Sequence, residues 1–243
     1  MRIPSHLLSV PTALLLGSSF SHAAVIADLR ANYDSSTRIN GVAANIADTQ
    51  GSGRWTFDAR NADTVGATRS QLLYTTSANS VRNANAYVLS GQSLNLPGIS
   101  NTQLISGPEG SPASNQLALH PGQQGSTLPF LGIRWIPGAA EYGAATISGN
   151  FQDIGAVGNG VTIVIRNQAG TSLFSSTSAG ELRTFNFGTT LASGSFIDFI
   201  IGNNGSWDGD HSAIDISIDG VPEPSSLALL LGSAALLLRR RRH

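Results

Sequence analysis

Between residues 129 and 219 apolar side chains return at every second position, and this period constrains the chain more than any other feature. Leu131, Ile133 and Trp135 alternate with Gly132 and Arg134, Val161, Ile163 and Ile165 with Thr162 and Val164, and Ile214, Ile216 and Ile218 with Asp215, Ser217 and Asp219. Residues 145–151 and 184–187 follow the same rule. Successive side chains of a strand point to opposite faces, so each such segment buries one face and wets the other. Residues 196–201 form a nearly continuous apolar run, as a fully buried strand does. Between these segments stand Gly158, Asn159 and Gly160, then Gly170, Gly180, Ser193 with Gly194, and Asn203 and Asn204 with Gly205. These are turn residues. Strands at roughly ten-residue spacing with turn chemistry between them predict an all-β fold, an antiparallel sandwich of two packed sheets.

The first half of the chain is less regular. Residues 25–29, 55–59 and 71–75 have strand length and strand flanks. Across residues 32–50, Ile39, Val42 and Ile46 are spaced for one weak helical face, but polar residues interrupt it, and the segment reads as loop or edge strand. Residues 91–126 are rich in Pro, Gly, Ser and Asn and predict loop, apart from a strand at 117–120 that Pro121 and Gly122 stop.

Composition excludes several functions. Cysteine is absent, which removes disulfides, thiol catalysis and cysteine-zinc sites. Charged residues are 12% of the chain, well below the usual quarter, and hydroxyl and amide residues take their place. Lysine is absent too, and the arginines of residues 24–220 are outnumbered by Asp and Glu, a balance that argues against nucleic acid as a partner.

Both ends carry targeting chemistry. Arg2, the apolar stretch 7–16 and the small residues around Ser21, Ala23 and Ala24 read as a secretory signal peptide over residues 1–23, cleaved after Ala23 or after Ala24. At the other end Val221, Pro222, Glu223 and Pro224 precede an apolar helix predicted at 225–238 and then Arg239, Arg240, Arg241 and Arg242. A helix over 227–238 rises about 18 Å, short of the ~30 Å hydrocarbon core, so it spans a membrane only with help from flanking residues and snorkelling arginines. The positive-inside rule leaves the arginines cytoplasmic. This tail resembles the PEP-CTERM sorting signal of bacterial exported proteins. The resemblance implies a membrane-embedded exosortase as processing partner, cleavage near Pro222, Glu223 and Pro224, transient anchoring in the inner membrane, delivery to the cell surface and association with extracellular polysaccharide. A weak, uncleaved tail anchor is the competing reading.

Residues 24–220 are then the exported domain, best defined over 114–219. The order of strands and turns there resembles the jelly-roll domain of exported bacterial proteins related to carbohydrate-binding modules. Trp55, Trp135 and Trp207 are candidate sugar platforms; Trp207, beside Asp208, Asp210 and His211 in a Gly-rich loop, is the best of them, Trp135 in its alternating strand is expected in the core, and burial is the safer expectation over the three. Asn203, Asp208 and Asp210 could contribute oxygens to a structural calcium ion, which needs six to eight. Ordinary polar turn chemistry is the better-supported reading of the same residues, and no other cofactor is expected. No nucleophile elbow, phosphate loop or paired glutamates stand out, so no catalytic residue is assigned.

The function expected is that of a non-enzymatic cell-surface or matrix protein associated with exopolysaccharide, with a carbohydrate-binding module as the alternative and a glycoside-active enzyme as a distant third. Mass spectrometry of the surface-located protein should show neither residues 1–23 nor the arginine end; an intact C-terminus there would defeat the sorting reading.

Overall fold

The computed structural model describes residues 23–77, 85–90, 96–104, 110–123, 126–156, 159–205 and 210–220. The signal segment before Ala23, the sorting tail from Val221, and Trp207 with Asp208 lie outside these residues. Among the described residues no helix is long and apolar enough to cross a membrane.

Fifteen strands, one short α-helix and one turn of 3-10 helix (Ala139–Glu141) make up the described chain: β1 (Ala24–Asp28), α1 (Leu29–Ser35), β2 (Ile46–Ala47), β3 (Arg54–Arg60), β4 (Arg69–Gln71), β5 (Leu73–Thr75), β6 (Ala86–Val88), β7 (Gly98–Ser100), β8 (Leu117–His120), β9 (Phe130–Ile136), β10 (Gly143–Asp153), β11 (Val161–Asn167), β12 (Ser172–Ser178), β13 (Arg183–Leu191), β14 (Ile197–Gly202) and β15 (Ser212–Gly220). One sheet runs β13-β10-β15-β8-β7-β6-β5 with β1 also beside β15; the other runs β12-β11-β14-β9-β3-β2 with β4 also beside β3. All the pairings are antiparallel. From β8 onward the chain changes sheet at almost every strand, and only β11 and β12 follow one another in the same sheet. The fold is a jelly-roll-like β-sandwich: the period-two pattern predicts the two packed antiparallel sheets, and the jelly-roll order is what the resemblance implies.

The inward residues of that pattern form one core. Trp55 and Phe57 of β3, Ile133 and Trp135 of β9, and Phe199 of β14 face Ile147, Ile214 and Ile216 of the opposite sheet, all at 1% exposure or less. Trp55 and Trp135 are directly opposed across the β3/β9 ladder with ring centroids 6.3 Å apart. Each indole N–H has an acceptor: Trp55 Nε1 donates to Asn32 Oδ1 at 3.0 Å and Trp135 Nε1 to Asp48 Oδ2 at 3.2 Å. A buried indole needs that partner, because an unmade hydrogen bond costs more than a made one returns.

Several segments differ from expectation for local reasons. Leu29, expected to end a strand, begins α1, because the Asp28 carboxylate accepts the Ala31 N–H at 2.7 Å and caps the helix. Residues 32–35 belong to α1 rather than to a loop, whereas exposed Ile39 and Val42 in a loop and buried Ile46 in the edge strand β2 fit the loop-or-edge-strand reading. Residues 71–75 are not one strand: β4 ends at Gln71 in one sheet and β5 starts at Leu73 in the other, with buried Leu72 between them. The polar region 91–126 holds β7 as well as β8. The Ser-rich β12 is an edge strand and carries too few apolar residues to show a period.

The outward face of the β3/β9/β14 sheet is partly buried as well. Residues 61–68, between β3 and β4, fold across it: Asp63 of this loop accepts from Arg166 of β11 through both its carbonyl, at 2.6 Å, and its carboxylate, at 3.2 Å. Beneath the loop lies Asp198, fully buried. Arg134 donates Nε and NH2 to its two oxygens, both at 2.7 Å; Arg60 NH2 donates at 2.9 Å, and Arg69 NH2 reaches it at 3.4 Å. Arg60 also grips Asp58 through Nε at 2.5 Å. Burial alone would raise the Asp198 carboxyl, but hydrogen bonds and charge from Arg134 and Arg60 outweigh it and hold the group below the ordinary range. Asp58 has Arg60 as its hydrogen-bonded cation, and there burial wins, leaving it raised. Asp198 therefore contributes stability that is present above the unfolded carboxylate range and lost as pH falls through its lowered value, and Asp58 works in the opposite direction.

Gly132 of β9 makes this arrangement possible. A Cβ there would collide with Asp58 Oδ1 and Arg60 Nε and stand 2.6 Å from Arg60 Cζ. Gly132→Ala should displace the buried guanidinium and destabilise the fold by about 3 kcal/mol, the scale of a broken buried ion pair, as read by the shift in urea midpoint. An unchanged midpoint would show that Arg60 has another place to go.

Candidate functional site

A gap between β2 and β4 along β3 shapes a concavity among the described residues. β2 pairs with Trp55 and Arg54, β4 pairs with Asp58, Ala59 and Arg60, and between them neither strand pairs with Thr56, while the Phe57 carbonyl accepts the Leu72 N–H at 3.1 Å. A groove of about 560 Å³ lies there, walled by residues 43–45 on one side and by Arg69 and Gln71 of β4 on the other. Its floor carries Arg54, Thr56 and Asp58 from β3 and Arg134 and Ile136 from β9. Strand alternation sets this out: Trp55, Phe57 and Ala59 point inward, so Arg54, Thr56 and Asp58 point outward. Thr56 stands opposite Arg134, and Arg134 opposite Asp198, so one cross-strand row joins the groove to the buried ion network.

The lining divides into held and free groups. Arg134 is fixed by its two bonds to Asp198 and by stacking on Phe196, with its guanidinium carbon 3.4 Å from the ring centroid. Asp58 is held by Arg60. The side chains of Asn45, Arg54, Thr56 and Gln71 have no hydrogen-bond partner among the described residues, and Asn45, Arg54 and Gln71 are exposed. A rigid sheet floor presenting amide, hydroxyl and guanidinium groups to solvent can hydrogen-bond a hydroxyl-rich ligand with little reorganisation.

The residues singled out from the sequence fall elsewhere. Trp135 is a core residue, as expected, and Trp55, a candidate sugar platform, is buried in the same core. Asp210 and His211 are fully buried and offer no surface to a polymer, and Trp207 and Asp208 lie outside the described residues. His211 Nε2 accepts the Leu104 N–H at 3.4 Å; burial and the neighbouring His120 push its imidazole down to about 3, so it is neutral. Asn203 accepts the Gly205 N–H at 3.2 Å, the bond of an ordinary turn, and donates to the Gly122 carbonyl of a distant loop at 3.2 Å. Among the described residues no three His, Cys, Asp or Glu side chains converge as a metal cage would require. Arg54 and Thr56 were legible in principle as the outward positions of a strand whose inward positions are Trp, Phe and Ala. Asn45, Arg69 and Gln71 depend on which strands meet β3, and no local signal marks them.

A second feature is a pair of carboxyls beneath the β3/β9 end. Asp48 and Glu141 are both 5% exposed. Asp48 accepts from the Gly51 N–H at 2.8 Å and from Trp135; Glu141 Oε2 accepts the Gly138 N–H at 2.8 Å and also meets Asp48. Burial, then the hydrogen bond to Asp48, push Glu141 up to about 7. Gly53 leaves the room: a Cβ there would collide with Asp48 Oδ2 and stand 2.5 Å from Glu141 Oε2 and 2.6 Å from the Ile136 carbonyl. Two acids at hydrogen-bonding range share a proton in preference to ionising together.

No family model and no curated protein matches the chain. Among solved structures it is similar to CBM51 from Clostridium perfringens GH95 in complex with methyl-galactose, at 12% identity over 60% of this chain and 94% of that one, with a TM-score of 0.35. It is also similar to a CBM4 structure, at 11% identity over 69% and 86% with a TM-score of 0.30, and to a family 29 carbohydrate-binding module, at 9% identity over 70% and 89% with a TM-score of 0.30. Likenesses of this size say nothing about the groove.

The shared proton makes stability depend on pH. Because Glu141 is raised, the native chain holds a proton that the unfolded chain has released, and stability falls as pH rises from about 4.5 to 7. Glu141→Gln keeps the hydrogen bond and removes the titration. The gap in melting temperature between this variant and the parent should widen up to about pH 7 and then level; a gap constant with pH would show that the pair shares no proton.

Proposed function

We propose that this chain is an exported carbohydrate-binding protein of the cell surface or extracellular matrix, holding glycan in the groove over β3 and β9. The observation that carries the reading is the set of unengaged polar side chains, Asn45, Arg54, Thr56 and Gln71, arrayed on the floor and walls of one open groove. Pyranose hydroxyls are donors and acceptors at once, and amide and hydroxyl side chains match both roles. Binding is favoured over turnover, because Asp58 is the single carboxylate among the described lining residues and is tied to Arg60, whereas glycoside hydrolysis uses two carboxyls flanking the scissile bond. The Asp48–Glu141 pair is buried away from the groove surface and serves the fold.

Delivery is part of the proposal. The signal segment 1–23 and the tail of Val221, Pro222, Glu223 and Pro224, the apolar residues 225–238 and Arg239–Arg242 support export and sorting to the envelope, with an exosortase-type enzyme as processing partner and exopolysaccharide as the ligand within reach.

Removing two of the free amides together, Asn45→Ala with Gln71→Ala, should weaken retention of the full chain on a glycan that the parent binds by roughly tenfold, the product of two ordinary hydrogen bonds. Affinity electrophoresis through polysaccharide gels reads this directly. Undiminished retention would remove the groove as the binding site, and failure of the parent to bind any polysaccharide would remove the reading.

A further inference from the structure

We propose that the groove selects anionic glycans, those bearing uronate carboxylates or sulfate esters, and that Arg54 and Arg69 are the residues that meet the anion. This inference rests on the reading of the groove as a glycan site and names the class of glycan.

The argument is one of charge placement. Arg54, Arg69 and Arg134 line the groove, and Arg60 lies beneath it; Asp58 and Asp198 are the carboxylates among them. Four guanidiniums facing two carboxylates leave two positive charges uncompensated. The surrounding domain has the opposite balance, since residues 24–220 carry nine arginines and no lysine against fourteen Asp and Glu. A chain poor in cations has placed four of them around one groove.

The four are not equivalent. Arg60 and Arg134 are committed to Asp58 and Asp198 and act as scaffold. Arg69 is secured to the Val65 carbonyl at 2.7 Å, which fixes its position, yet its contact with Asp198 is long, at 3.4 Å. Burial, followed by repulsion from Arg60 and Arg134, lowers the Arg69 guanidinium, the result expected where cations crowd one another. Arg54 is exposed and without a partner among the described residues. A planar guanidinium with free N–H groups binds a carboxylate or sulfate through paired hydrogen bonds and discriminates against a neutral hydroxyl. Asn45, Thr56 and Gln71 stand between and around these cations to take the uncharged hydroxyls of the same saccharide.

The test compares charged polymers with neutral counterparts on the full chain. Polygalacturonate is set against its fully methyl-esterified form and dextran sulfate against dextran, with affinity electrophoresis as the readout at low and moderate salt. The parent should bind the charged member of at least one pair about tenfold more tightly, and added salt should erode that preference. Arg54→Glu should abolish it and Arg54→Lys should keep only part of it, because an ammonium supplies the charge without the paired hydrogen bonds; Arg54 is exposed and has no partner among the described residues, so both variants should keep the parent melting temperature. Preference within the first pair alone assigns the carboxylate as the anion, and within the second pair alone the sulfate. Equal binding of charged and neutral members overturns this inference while leaving the glycan-binding reading standing. Binding of none of the four overturns both. A charge preference that survives Arg54→Glu places the anion site elsewhere and overturns the assignment.

Discussion

Asp198 is the point on which the second sheet depends. Its carboxylate has no exposure to water and is held by guanidiniums from three other strands, Arg60 from β3, Arg69 from β4 and Arg134 from β9. Such a network adds little stability over an apolar cluster of equal volume, because withdrawing charges from water costs nearly what their attraction returns. What it supplies is position. One carboxylate has few geometries in which it can satisfy three donors, so it sets the register of β14 against β9 and the placement of β4 against β3. The groove inherits that precision, since Arg134 and Arg69 are members of the network and lining residues at once.

The two faces of β3 show how a single strand serves both stability and recognition. Trp55, Phe57 and Ala59 enter the core, while Arg54, Thr56 and Asp58 form the groove floor. Because the side-chain period is two, a slip of one residue would exchange these sets and place two large aromatics in solvent and an arginine in the core. The same large rings that hold the sheets together thus fix which polar residues reach the ligand side. Glycine completes the arrangement from beneath: Gly132 leaves the space that Arg60 occupies, and Gly53 leaves that filled by Asp48 and Glu141.

The all-β sandwich could be read from the sequence because burial writes its period directly into segments such as Ile214, Ile216 and Ile218. Short strands escaped for the same reason: β7 and β4 are three residues each, too short to show any period, and the edge strand β12 needs few apolar residues. The site was less legible than the fold. Trp207 and Asp210 drew attention through composition, a tryptophan and acids in a Gly-rich loop, but Asp210 and His211 are buried. Arg69 and Gln71 meet Arg54 and Thr56 only because β4 returns to β3 after a loop crosses the outer face, a long-range event that leaves no mark in local spacing. Glu141 looked like a loop residue, and burial, followed by the approach of Asp48 from a distant turn, gives its carboxyl an unusual proton affinity.

The sequence separation within the ion network also orders events in time. Asp198 lies 138 residues after Arg60 and 129 after Arg69. A chain made from its N-terminus therefore exposes those cations well before the carboxylate that draws them together exists. Until β14 is in place Arg69 lacks the carboxylate it reaches in the folded domain, whereas Arg60 already has Asp58 beside it on β3. A chain ending before residue 198 therefore lacks the carboxylate that joins β3, β4 and β9.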